Sequence, residues 1–466
     1  MNKKKYYLLP LGCAQNISDA ERVSTVLEEN RFVITSDESE ADLICVIACS
    51  VRQSAIDRIY GRSKIWGKYK KKSLKILSGC VLPKDRKKME EIFDVVFGIE
   101  SLEELPSLIA LSSVIPADST LRLTARRVET GIQSSNGKRL DPRCGEDDKK
   151  NYFNYLSIQP KHGNTFQALV PISNGCNNFC SYCAVPYTRG REVSRSFDEI
   201  VNEVKDLVKN GYKEITLLGQ NVNSYGNDIK GGKSFLDLLE ELDKIPGKFW
   251  IRFISNHPKD FPNELIENLP KLEKVTPYIH LPLQSGSTKI LKGMNRKYTR
   301  KDYLTLVEKI RKNIPDVAIG TDTIVGFPGE TEKDFEKSIE VFEKSKFDMA
   351  YIAQYSPRQG TVSARMKDDI SKEIKKQRDK KLNEVLKKTA LENNKKYVGK
   401  EVEVLVEKEY KGFLWGRTGT YKLVKIDKGP SFVKKSGEII GRFIKIKIKS
   451  ATPWTLSGSL LTANSK

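Results

Sequence analysis

The stretch NGCNNFCSYCAVPYTRG places Cys176, Cys180 and Cys183 in a C-x3-C-x2-C spacing. Three thiols this close in sequence can share one metal centre. A structural zinc site takes four protein ligands, and none of the chain's histidines (His162, His257, His280) lies in the motif; a zinc staple is the alternative reading. An iron-sulfur cube normally takes four thiolates. Three would leave one iron open to an exogenous ligand, which suits chemistry rather than stapling.

Three more cysteines each end a short apolar run: Cys13 in KYYLLPLGC, Cys49 in ADLICVIACS and Cys80 in SLKILSGC. Amphipathic stretches, an acidic one from Ser18 and another from Gln53, separate these runs. Such alternation reads as strands and helices of a parallel α/β sheet. Ligand sites in open α/β sheets gather at the carboxyl ends of the strands, so Cys13, Cys49 and Cys80 are expected on one rim as three thiolate ligands. Cys45, four residues before Cys49 on the same strand, is expected to be a small core hydrophobe. Cys144 stands among charges with no partner at ligand spacing and reads as a free surface thiol.

The elements that must position these groups fall into three segments. Residues 3–117 carry the first α/β pattern, and residues 118–161, polar and irregular, read as a linker or surface insertion. Residues 162–396 repeat a strand-then-helix unit six times, on ALVPISN, EITLLGQN, WIRFISNHP, YIHLPLQSG, VAIGTDTIVGFPGE and MAYIAQYSP. Serial β/α units close into a full or partial (β/α)6 barrel with functional groups after the strands. Polar residues do gather there: Asn174, Gly219-Gln220-Asn221, Asn256-His257, Gln284 and Gln354. Capping boxes are expected at Ser196 with Glu199 and at Thr331 with Asp334. Residues 397–462 are short strands and turns, a small β-barrel.

Charge points to a polyanionic partner. The 466-residue chain has a formal net charge of +21, and lysines crowd the last segment. Phe413, Trp415, Tyr421 and Phe443 interleave with that charge, the combination that stacks bases and holds phosphates; for any one of them taken singly, barrel core is the favoured reading. Arg189, Arg191 and Arg195 follow the third cysteine of the motif and suit bidentate contact with a carboxylate or with RNA phosphate, a solvated basic face being the alternative. Eight cysteines are too few for a disulfide scaffold in a chain this long. No apolar run reaches the ~20 residues of a membrane span, and the run YYLLPL, broken by Pro10, is short for an export signal. A cytoplasmic protein is expected.

The cysteine loop resembles that of the radical S-adenosylmethionine (SAM) superfamily. There the open iron chelates SAM, and an electron from the cluster releases a 5′-deoxyadenosyl radical. Apart from the linker, the whole chain is similar to the methylthiotransferases, which join an amino-terminal cluster domain, a radical-SAM barrel and a terminal OB-like RNA-binding barrel called TRAM. CSYCAVPYTRGREVSR and LLGQNVNSYG are most similar to the tRNA-2-methylthio-N(6)-dimethylallyladenosine synthase branch.

The resemblance implies two [4Fe-4S] clusters and SAM as cofactors. Cys13, Cys49 and Cys80 would hold the auxiliary cluster that carries the sulfur, and Cys176, Cys180 and Cys183 the one that binds SAM. Tyr182 would lie near the adenine of SAM. Gly219, Gln220 and Asn221 would meet its methionine part, although the usual Gly-Gly-Glu form of that strand end is absent. Arg189, Arg191 and Trp415 are the candidates for RNA contact. The expected partners are a tRNA anticodon stem-loop, an electron donor of flavodoxin or ferredoxin type and a sulfur donor, with no membrane and a monomeric chain. The reaction would insert sulfur and a methyl group at C2 of the adenosine beside the anticodon, a base that must be splayed from its loop. Acid–base side chains cannot open such a C–H bond, so the cofactor must. The rival readings are the same chemistry on threonylcarbamoyladenosine or on a ribosomal-protein aspartate, and a non-enzymatic, metal-stapled RNA-binding protein.

Overall fold

A computed structural model describes residues 3–50, 53–69, 71–114, 123–124, 154–427 and 436–460. The chain divides into two compact units, Met1–Gly163 with Ser173–Arg195 and Arg358–Ala364, and Asn164–Ile172 with Ser196–Pro357 and Arg365–Lys466. Cys144 lies outside the described residues.

The first unit is built on six parallel strands, β1 (Lys4–Pro10), β2 (Phe32–Ile34), β3 (Leu43–Cys49), β4 (Leu74–Cys80), β5 (Val95–Val96) and β6 (Leu123–Thr124), in the order β2-β1-β3-β4-β5-β6. Every residue of β3, LICVIAC, is buried, as a strand covered on both faces requires. One face of the sheet packs Tyr6, Leu43, Cys45 and Ile47 with Val23 and Leu27 of helix α1 (Ala14–Glu29). The other packs Ile44, Val46 and Ala48 with Ile56, Ile59 and Trp66. Cys45 is therefore the core hydrophobe expected of it, its thiol pushed up to about 12 by burial. Cys49 packs with the second layer, not with Cys45, because the alternation lapses at the strand end.

Two details differ from expectation. Helix α1 begins at Ala14 rather than near Ser18, with Cys13 itself at the N-cap. Of the supposed linker 118–161, β6 pairs with β5, and the short helix Asn154–Ser157 buries Tyr155 and Leu156 in the core, so these pieces belong to the α/β layer. Also in this unit, β8 (Ser173–Asn174) and β9 (Val193–Ser194) pair antiparallel across the cysteine loop.

The second unit holds the six repeated strands: β7 (Gln167–Pro171), β10 (Glu214–Leu218) and β11 (Trp250–Phe253) in one parallel sheet, β12 (Tyr278–His280), β13 (Ala318–Val325) and β14 (Met349–Gln354) in another. A parallel bridge joins Ile251, within β11, to Val275. Ile215, Leu217, Ile251, Phe253, Ile279 and Ile319 pack outward against the helices in one large core. The Thr331–Asp334 capping box is present, and two more occur at Ser234–Asp237 and Thr299–Asp302. Ser196 caps its helix without a side-chain hydrogen bond, correcting the expected box; its ψ is 133°, whereas the three boxed caps lie at 168–172°.

Five strands close the terminal barrel in the order β15-β16-β17-β19-β18: β15 (Glu401–Tyr410), β16 (Phe413–Thr418), β17 (Leu423–Asp427), β18 (Phe443–Ala451) and β19 (Leu456–Leu460). Its core is aliphatic, from Val404, Val406, Leu414, Val424, Ile426, Ile446, Ile448 and Leu456. None of the four interleaved aromatics belongs to it. Phe413 and Trp415 alternate outward from Leu414, while Tyr421 stacks on Tyr278 at 4.9 Å and Phe443 meets Trp250 at 4.7 Å. Beside them Arg252, 2% exposed, pairs with Glu214 at 2.5 Å and donates to the carbonyls of Thr418 and Gly419. Lys422 pairs with Asp348 at 2.6 Å. Glu214, Trp250 and Tyr278 begin their strands, so the small barrel is fixed at the amino-terminal ends of the large one, away from the strand ends that carry ligand sites.

Candidate metal centre

Strands β1, β3 and β4 are neighbours and parallel, so their carboxyl ends share one rim. Cys49 and Cys80 are register partners across β3 and β4. Cys13 follows β1 as the N-cap residue of α1. Gly12 makes this approach feasible: its φ is +115°, and a Cβ there would fall 2.6 Å from Cys49 Cβ and 3.0 Å from its Sγ. Asn16, fully buried one turn into α1, donates through Nδ2 to the carbonyls of Leu11 (2.7 Å) and Ala48 (2.6 Å). Its Oδ1 lies 3.9 Å from Cys13 Sγ and 3.7 Å from Cys80 Sγ. Burial pushes the Cys80 thiol up to about 12, opposed by Arg189. Such a sulfur ionises when a metal replaces its proton.

The second cysteine set is held by the β8–β9 ribbon. Gly175, with φ +77°, passes so close to the ribbon's return strand that a Cβ would sit 1.9 Å from the Arg191 carbonyl oxygen. Cys176 N–H then donates to the Gly190 carbonyl (3.2 Å), and Cys183 N–H to that of Cys180 (3.0 Å). Phe179 adopts φ +45° between them, with the Arg191 guanidinium 5.5 Å from its ring centre. Burial pushes Cys176 up to about 11, while the Asn178 amide, donating to its sulfur at 3.6 Å, works the other way. Tyr182 is half-buried beside Cys183. Among the described residues no three His, Cys, Asp or Glu side chains close on a single-ion position. A four-iron cube binds its thiolates at separate corners, and both three-thiol sets suit such a group.

In the second unit the strand ends hold unpartnered polar atoms. Gly219, Gln220 and Asn221 follow β10; Gln220 Oε1 and Asn221 Oδ1 are buried without a hydrogen-bond partner, while Asn221 Nδ2 donates to Asp260 at 2.7 Å. Asn256 Oδ1, just past β11, and Thr323 Oγ1, near the end of β13, are likewise unsatisfied. An orphaned buried polar atom costs about 1–3 kcal/mol, so several at strand ends suit a polar ligand. Ser255 and Gln284, at φ +68° and +65°, add backbone strain at the same ends.

Residues 170–342 match the Radical SAM superfamily, residues 5–98 the Uncharacterized protein family UPF0004, and residues 395–461 the TRAM domain. A tRNA-2-methylthio-N(6)-dimethylallyladenosine synthase of Acetivibrio thermocellus is 40% identical over 470 residues, which cover 98% of this chain and 91% of the relative. One of Caldicellulosiruptor saccharolyticus is 40% identical over 468 residues, 98% of this chain and 93% of the relative. The chain belongs to the tRNA-2-methylthio-N(6)-dimethylallyladenosine synthase family. The radical S-adenosylmethionine methyltransferase TsrM from Kitasatospora setae shares the fold, with TM-score 0.53 at 16% identity over 78% of this chain and 77% of that one.

For this member of the synthase family, the three residues expected to meet RNA fare differently. Arg191 is exposed on its loop, and Trp415 is half-buried on the outward face of the terminal barrel. Arg189 is only 3% exposed and ion-paired with Asp19, so no phosphate reaches it. Asn16 and Asp19 escaped the sequence reading altogether. In the structure the first half of α1 buries mainly polar side chains, Gln15, Asn16, Ser18, Asp19 and Arg22 among them. His280 contacts Asp322 at 3.3 Å, and His257 is buried with its pKa lowered to about 2, chiefly by desolvation.

Proposed function

We propose that the chain inserts sulfur and a methyl group at C2 of N(6)-dimethylallyladenosine beside the tRNA anticodon. The observation that carries this reading is the convergence of Cys13, Cys49 and Cys80 on one sheet rim in a chain that also presents the Cys176–Cys180–Cys183 loop. Each set of three thiols would hold one [4Fe-4S] cluster with an iron left for another ligand. When bound, the clusters and SAM supply the homolytic chemistry that opens an aromatic C–H bond and the sulfur that replaces its hydrogen.

The chain's own residues position these groups. Asn16 ties the loops of Cys13 and Cys49 together through two carbonyls. Asn178 donates to the Cys176 sulfur. In the first unit Tyr182 offers an aromatic face for the adenine of SAM; in the second, Gly219, Gln220 and Asn221 end a strand with acceptors left for a polar ligand. Lys425 lies 3.5 Å from the centre of the Phe413 ring beside Trp415, a cationic and aromatic surface that suits the anticodon stem-loop. A low-potential electron donor and a sulfur donor complete the reaction. Among the described residues no helix is long and apolar enough to cross a membrane.

Nucleoside mass spectrometry tests the proposal, using tRNA from a bacterium lacking its own adenosine methylthiotransferases, with and without this chain. The expected result is a methylthio gain on the dimethylallyl nucleoside, absent with Cys176→Ala. A gain confined to threonylcarbamoyladenosine would replace the substrate, and no gain from soluble, iron-loaded protein would reject tRNA.

A further inference from the structure

Arg189 is a heavily bonded side chain near the cysteines, and the reaction outlined above gives it no task. It is buried, and its guanidinium spends every edge within the first unit. Nε donates to Cys80 Sγ at 2.8 Å, one terminal nitrogen to Asn174 Oδ1 at 3.1 Å, and the other to Asn16 Oδ1 at 3.1 Å and to the Asp19 carboxylate. Burial works against its charge, but Asp19 and the Cys80 sulfur hold its pKa well above the ordinary value.

These four partners belong to two structures. Asn16, Asp19 and Cys80 form the rim that carries the first cysteine set. Asn174 lies in β8, two residues before Cys176, and Arg189 itself precedes Gly190, whose carbonyl receives Cys176 N–H. One planar cation thus joins a ligand sulfur of one set to the base of the loop that bears the other. A lysine, with a single point charge, cannot satisfy this fork.

We propose that Arg189 is a positioning residue for the auxiliary cluster: it hydrogen-bonds the Cys80 thiolate, raising that cluster's reduction potential, and locks the SAM-cluster loop to the same rim. This rests on the two-cluster reading above. The physical basis is that a donor or positive charge at a ligand sulfur stabilises the extra electron of the reduced cluster, so hydrogen bonds to sulfur set the potential.

The test uses the full-length chain with Cys176, Cys180 and Cys183 replaced by Ala, so that only the amino-terminal set is loaded. Its reconstituted cluster is titrated electrochemically with Arg189 intact, with Arg189→Lys, and with the paired Asp19→Asn/Arg189→Gln, which removes both buried charges together. The expected result is a shift to more negative potential in the paired variant at full iron content, and a smaller shift with Lys. An unchanged potential at full iron content overturns the proposal. A second readout needs no substitution of Arg189 and so does not depend on whether its variants fold. With 15N-arginine incorporated, the reduced cluster should show a 15N hyperfine coupling by pulsed electron paramagnetic resonance, and its absence also overturns the proposal. Failure of this chain to bind iron at all would instead remove the two-cluster reading, and the proposal with it.

Discussion

Arg189 and Arg252 are both buried against carboxylates, and their remaining partners set them apart. In the first unit Arg189 pairs with Asp19 and turns its other edges to a thiol and two side-chain amide oxygens. In the second Arg252 pairs with Glu214 and spends its other donors on Thr276 and on the main-chain carbonyls of Thr418 and Gly419, with Trp250 and Tyr421 rings 5.1 and 5.0 Å away. A buried ion pair by itself marks neither function nor net stability, because desolvation offsets much of its attraction. Its neighbours decide. Arg252 is satisfied by groups that do no chemistry and fastens one barrel to another; Arg189 touches a sulfur whose charge a metal would control.

The largest effects should come from breaking the sulfur side alone. Cys80→Ala should remove the amino-terminal iron and lower methylthio-nucleoside formation below detection while SAM cleavage persists; Cys176→Ala should abolish cleavage. Iron analysis together with chromatography of the SAM products separates the two, and full methylthiolation by Cys80→Ala would contradict the assignment. Next comes the architectural side. Arg252→Met leaves Glu214 buried and unpaired and should cost about 3–5 kcal/mol, read as a lower denaturation midpoint followed by a probe in the terminal barrel, with amino-terminal iron content unchanged. Loss of that iron would mean that the two pairs do not act separately.

Gly12→Ala should be milder, about 1–3 kcal/mol for crowding Cys49, with iron loading of the amino-terminal set reduced more than overall stability; equal loading at full occupancy would show that the loop yields. The smallest test concerns helix ends. Thr331→Ala removes a formed capping box and should cost about 1 kcal/mol, whereas Ser196→Ala should be near neutral because its hydroxyl makes no cap bond. Thermal midpoints of the two variants, measured side by side, distinguish them.

Much of the site was legible before the structure. Cys13, Cys49 and Cys80 could be placed on one rim because strand-and-helix alternation is written in local hydrophobicity, and parallel strands must end on the same side. The C-x3-C-x2-C loop was legible because its ligands are close in sequence. Arg189 was not: three arginines within a few residues look alike, and what sets buried Arg189 apart from exposed Arg191 is the β8–β9 ribbon and a helix from far upstream. The terminal aromatics were misjudged for a related reason. Period-2 alternation shows that Leu414 and Trp415 face opposite ways, but which face is the core depends on barrel closure by β19, whose sequence LSGSL carries a weak strand signal.

By itself, then, the sequence determined the identities of the six candidate ligands, the order of the elements that bear them and the positive charge that suits RNA, since these follow from composition and short-range periodicity. The tertiary structure alone decided which polar side chains leave water. Burial of Asn16, Asp19 and Arg189 depends on segments more than a hundred residues apart packing together, and no local pattern encodes the partners such a contact supplies.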